Sequence, residues 1–177
     1  MIEPALNTRL SPHFVLSEMV ASAVAKGKGL NNVPREECDL ANLKALCLNV
    51  LEPIRDSFGR PVIITSGFRC CTLNRLIGGA PNSQHTMGEA ADFIIKSVPA
   101  YDAAKAIRYS DQVDFDQLIY ESRISGKTGK VIEWVHVSHS RGDNNRRECL
   151  TIAFDADGEK FTKGDIHTRE SMLFCSG

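Results

Sequence analysis

The hydrophobic period of this chain changes at Gly59, and that change limits the folds open to it. Before Gly59, the stretch from Pro34 to Phe58 carries Leu40, Leu43, Cys47, Val50, Leu51 and Ile54 at spacings of three and four. Such spacing puts one apolar stripe on a helix. Pro34 suits its first turn, Gly59 its end, and Pro53 should kink or shorten its last turns because it lacks an N–H. A weaker helix is expected from Ser17 to Lys26, stopped by Gly27 and Gly29.

After Gly59 the apolar runs are short and β-branched or alternating: PVIIT at 61–65, EAADFII at 89–95, DQLIYE at 116–121 and VIEWVHVS at 131–138. These are expected to be strands of one sheet. Short helices are expected near Thr72 to Ile77 and from Pro99 to Tyr109, and Cys149 to Phe154 reads as a further strand ending in a turn at 155–158. The expected fold class is therefore α+β, a mostly antiparallel sheet with flanking helices, in a single domain over 1–177.

Bulk charge narrows the function classes. With 21 basic and 22 acidic residues the net charge is −1, which gives no reason to expect nucleic acid or an anionic membrane as partner. The start, MIEPALNTRLSP, has no secretory pattern and no apolar run is long enough to span a bilayer, so synthesis and folding in the cytosol are expected. Six scattered cysteines without a CxxC pair point to free thiols and away from a cysteine zinc knuckle.

Two of the five histidines fall beside carboxylates in or near expected strands. His85 precedes Asp92 by seven positions with Gly88 between them, so a loop can turn at His85 and enter a strand that presents Asp92. His136 follows Glu133 by three positions in EWVHVSH. Two imidazoles and one carboxylate suit zinc, and three protein ligands are the count of a catalytic site. Asp92 sits in an apolar run, where a carboxylate needs a cation; a metal answers that need, and so would a salt bridge to Arg69 or Arg75. Glu133 can be a general base for water or a solvent-facing acid. The first reading requires a bulge or turn near Ile132 to Trp134, or a Glu133 that sits just before the strand proper, because residues three apart in a regular strand face opposite sides.

Together, SGFRC at 66–70, LNRLIGGAPNSQHTMGEAADF at 73–93, FDQLIYE at 115–121 and EWVHVSH at 133–139 resemble the D-Ala-D-Ala carboxypeptidase and L-alanyl-D-glutamate endopeptidase family of zinc peptidases. The likeness is to its small phage-type members and covers roughly Pro12 to Leu150, with the combined pattern SxHxxGxAxD then ExxH. It implies a hedgehog/DD-peptidase-like fold, one zinc on His85, Asp92 and His136, Glu133 as base, and Arg69 in substrate or oxyanion binding. Ser83, Gln84 and Trp134 are placed with the substrate. Arg69 as an ion-pair partner of Asp92 or Glu121 stays open, and His139 is a rival ligand to His136. Residues 151–177, with His167, form a C-terminal extension with no counterpart in the resemblance.

The expected activity is hydrolysis of an amide bond in the peptidoglycan stem peptide by a monomer, either a D,D bond or an L-Ala to D-Glu bond. A phage or prophage endolysin acting on the cell wall or periplasm after release fits the missing export signal. A cytosolic D,D-dipeptidase fits it too, and a zinc-stabilised binding module without catalysis is the reading from a different class.

Overall fold

The computed structural model describes residues 1–142, 145–158 and 160–167. Two short helices, α1 (Leu16–Met19) and α2 (Ala23–Gly27), replace the single weak helix expected over this stretch. Ser22 starts α2 as an N-cap, its Oγ accepting from the Ala25 N–H at 3.2 Å.

The long apolar stripe is helical in three joined parts: α3 (Glu37–Leu46), a π-helical segment Cys47–Leu51, and α4 (Glu52–Phe58). Pro53 cannot donate to the Asn49 carbonyl, and that carbonyl accepts from the Asp114 N–H at 3.4 Å instead. The expected kink is thus a change of helical pitch just ahead of the proline. Gly59 ends α4 in the left-handed region at φ 57°.

Next come β1 (Val62–Ser66), α5 (Cys71–Leu76), a 3₁₀ turn at Gln84–Met87, β2 (Ala90–Ile95) and α6 (Ala100–Arg108). They are followed by β3 (Gln117–Ile124), β4 (Val131–Ser138), β5 (Glu148–Phe154) and β6 (Lys160–Gly164). The six strands form one sheet in the order β1-β2-β4-β3-β5-β6. Every neighbour is antiparallel except β3 and β5. The α+β class and the mostly antiparallel sheet agree with the sequence pattern. β6 was not legible there: with two lysines and a glycine in KFTKG it lacks a strand's apolar alternation, and lysine is a usual guard of a sheet edge.

The sheet has two unlike faces. Phe93, Leu118, Tyr120, Val135 and Val137 are fully buried, in the same core cluster as Leu43 and Leu46 of α3 and Ile107 of α6. Each such side chain contributes about 1.5–3 kcal/mol by leaving water, so this face holds the helices to the sheet. The other face carries Asp92, His136, Trp134, Ile119 and Glu121. Five cysteines are free thiols, and Cys175 lies outside the described residues. No helix of the described residues is long and apolar enough to cross a membrane.

Candidate metal centre

Asp92 on β2 and His136 on β4 are directly opposed in an antiparallel pair, which brings their side chains together on one face. His136 Nδ1 donates to Asp92 Oδ1 at 2.8 Å. His85 arrives from the 3₁₀ turn, with Nε2 3.3 Å from the same oxygen. All three are buried, and one ligand atom from each lies within 4.8 Å of the others.

Glycines let the His85 turn seat itself. Gly88 ends the turn at φ 72°, and a Cβ there would stand 2.5 Å from the Asp39 carbonyl oxygen. Gly67 passes so close to Met19 that a Cβ would lie 2.3 Å from its carbonyl oxygen. The Gly67 carbonyl accepts from His85 Nδ1 at 2.7 Å; a carbonyl can only accept, so Nδ1 carries the proton and Nε2 presents a lone pair.

Arg69 holds the carboxylate from the other side. Its Nη2 donates to Asp92 Oδ2 at 2.5 Å and its Nε to Ser66 Oγ at 2.8 Å, while its backbone N–H donates to the His85 carbonyl at 3.0 Å. Asp92 is thus divided: one oxygen serves the histidines, the other the guanidinium. The salt bridge and the metal reading, alternatives in the sequence, are compatible in space.

The electrostatics suit a cation. Burial alone would raise Asp92, but its interactions with His85 and His136 outweigh it and hold the carboxyl well below its usual range. Burial lowers His85, which favours the neutral, ligating imidazole. For His136, burial is outweighed by the hydrogen bond and charge of Asp92 and the charge of Glu121, so its pKa rises. The donors suit a metal: two nitrogens and one anionic oxygen, converging and buried.

Glu133 is not part of this group. The pairing of β3 with β4 runs unbroken from Leu118–Val137 to Ile124–Val131, so Glu133 lies inside a regular strand, neither ahead of it nor at a bulge or turn. Glu133 faces the helix side of the sheet, where the Tyr120 hydroxyl donates to Oε1. Tyr120 in turn packs edge-on against Tyr101 of α6, ring centroids 5.7 Å apart.

Glu121 is a further carboxylate on the metal face, outside the group of three donors. It lies two residues beyond Ile119, which opposes His136, and it opposes Trp134. Glu121 lines the same open cleft of about 550 Å³ as Arg69, His85, Asp92 and His136. Its pKa is raised, first by burial and then by the negative charge of Asp92. Sequence reasoning met Glu121 only as a partner for Arg69. Its even spacing from Ile119 was visible, but only the pairing of Ile119 with His136 shows which face that spacing leads to.

Ser83, Gln84 and Trp134 line the cleft. His139 does not reach it: Nδ1 donates to the Asp114 carbonyl at 2.7 Å and Nε2 accepts from Asn49 Nδ2 at 3.1 Å. The odd spacing from His136 sends it elsewhere. His167 bonds through Nε2 to the Gly164 carbonyl at 2.9 Å, also apart from the metal group.

No curated protein matches this chain. The family model for peptidase M15, a family of zinc-dependent enzymes, matches residues 12–138. That range contains His85, Asp92, Glu121 and His136 and stops before β5. By that match, over well more than half its length, the chain belongs to the peptidase M15 family, that of the zinc D-Ala-D-Ala carboxypeptidases.

Proposed function

We propose that this protein hydrolyses an amide bond in the stem peptide of bacterial peptidoglycan, with one zinc held by His85, Asp92 and His136 and with Glu121 as general base. The convergence of three buried donor atoms beside a second carboxylate, that of Glu121, carries this reading. Residues 1–177 act in it as a single, monomeric peptidase domain of the hedgehog/DD-peptidase kind. The role of a phage or prophage endolysin on the cell wall belongs to the same proposal.

A bound zinc supplies a Lewis acid that polarises the scissile carbonyl and makes a nearby water easier to deprotonate. Glu121 takes the proton from that water and returns it to the leaving amine. A base whose pKa is raised by burial and by Asp92 holds the proton long enough to hand it on, which an ordinary exposed carboxylate does less well. Arg69 fixes the orientation of Asp92 through Oδ2, and its remaining N–H groups in the cleft are suited to a substrate carbonyl or carboxylate. Ser83, Gln84 and Trp134 would hold the peptide along the wall.

The test is to incubate the zinc-loaded protein with purified peptidoglycan and follow release of free amino groups, with mass spectrometry of the fragments to identify the bond. New amino termini at a D,D or an L-Ala to D-Glu junction support the proposal. Zinc-loaded protein that binds the wall and releases nothing from it or from soluble stem peptides supports a binding module instead.

A further inference from the structure

The metal face of the sheet continues past the family match onto β5 and β6. Pairing sets out three rows across it. Asp92, His136, Ile119 and Leu150 form the first, and Trp134, Glu121, Ile152 and Thr162 the second. The third is Ile132, Arg123, Phe154 and Lys160. Zinc ligands thus occupy one row, the carboxylate base the next, and two cations the third.

We infer that Arg123 and Lys160 form a carboxylate-binding subsite of the cleft, which takes an acidic group of the peptide two or three residues from the bond that is cut. The inference rests on the hydrolytic reading above. Arg123, Phe154 and Lys160 all line the cleft. The Arg123 guanidinium lies over the Phe154 ring, 4.7 Å from its centroid, which holds the planar fork in place before any ligand arrives. Among the described residues neither Arg123 nor Lys160 has a carboxylate within ion-pair distance. Arg69, the other guanidinium of the cleft, is already engaged by Asp92.

Spacing sets the position of the acidic group. Four residues of strand separate the His136 row from the Arg123 row, about 13 Å at a rise of roughly 3.3 Å per residue. Long arginine and lysine side chains reach back over part of that distance. An extended peptide, at about 3.5 Å per residue, covers the rest with two or three residues. Lys160 and Phe154 come from strands outside residues 12–138, so this subsite is an addition of this chain to the matched region.

The experiment uses pairs of synthetic stem peptides that differ in one group, a carboxylate in one and a carboxamide in the other, walked along the positions flanking the scissile bond. For the pair that places the group in the subsite, amidation should raise KM for the wild-type enzyme roughly tenfold or more, the scale of a charge-assisted contact. Lys160→Met and Arg123→Met, which keep the apolar stems, should raise KM for the acid to that of the amide. Both should leave KM for the amide and zinc content unchanged. Variants that weaken acid and amide peptides alike overturn the subsite. So does a Lys160→Met enzyme with altered kcat and a displaced acid limb at constant KM, because that pattern assigns Lys160 to Glu121. If the zinc-loaded protein cuts neither peptide, the hydrolytic reading fails; calorimetric binding of the same pair then decides, and equal affinity for acid and amide overturns the subsite.

Discussion

Asp92 and His136 face each other across β2 and β4, with His136 Nδ1 2.8 Å from Asp92 Oδ1, while Arg69 holds the second carboxylate oxygen at 2.5 Å. One side chain is thereby oriented from two directions before a metal arrives. His85→Ala and Asp92→Asn should each abolish stoichiometric zinc binding, measured as metal content after dialysis. Arg69→Ala should keep the ligands but lower zinc affinity by about 10–100-fold, the usual effect of removing a group that orients a ligand. Full zinc occupancy in the His85→Ala protein would mean that the metal sits elsewhere.

Two glutamates on opposite faces make opposite predictions. Glu121→Gln keeps size and loses basicity, so turnover should fall about a hundredfold to ten-thousandfold with zinc content unchanged. Glu133→Ala should leave turnover near that of the wild type but cost about 0.5–1.5 kcal/mol of stability, because it removes the hydrogen bond that the Tyr120 hydroxyl donates to Glu133. Denaturant unfolding and steady-state kinetics on both variants read the two effects. The reverse pattern would return Glu133 to the mechanism.

The pH profile should carry the mark of Glu121. A base works only when deprotonated, and this carboxyl is pushed up by burial and by Asp92, with His136, Arg69 and Lys160 pulling the other way. Activity should therefore fall as pH drops through a value above the ordinary glutamate range, about 4.3. In Glu121→Gln the small residual rate should lose that limb. An acid limb in the wild type at or below the ordinary range would contradict the raised carboxyl.

Gly88→Ala tests the turn that delivers His85. A non-glycine residue in the left-handed region costs on the order of 1–2 kcal/mol, and here the new Cβ also meets the Asp39 backbone at 2.5 Å. Denaturant unfolding should show a loss of about 2 kcal/mol or more, with weaker zinc binding because the turn at Gln84–Met87 must shift. A variant of wild-type stability and zinc affinity would show that the turn tolerates displacement.

Local pattern determined much of this protein. The spacing of Leu43, Cys47, Val50 and Ile54 gives the helix, the alternating runs give five of six strands, and His85, Asp92 and His136 were legible as candidate ligands from residue type, spacing and resemblance. All of these depend on neighbours a few positions apart, where chain geometry is set by periods of 3.6 and 2. The same period already held that Glu133 and His136 face apart unless the strand bulges. Whether it bulges, and which carboxylate stands beside His136 instead, depended on how β3 and β4 pair. That pairing joins Ile119 to His136 and so brings Glu121 to the metal face. Register is a contact between distant segments, chosen by which face can be buried against α3 and α6, and a slip of one residue would exchange the two faces. Only the tertiary structure could select Glu121 and carry the metal face on to Lys160.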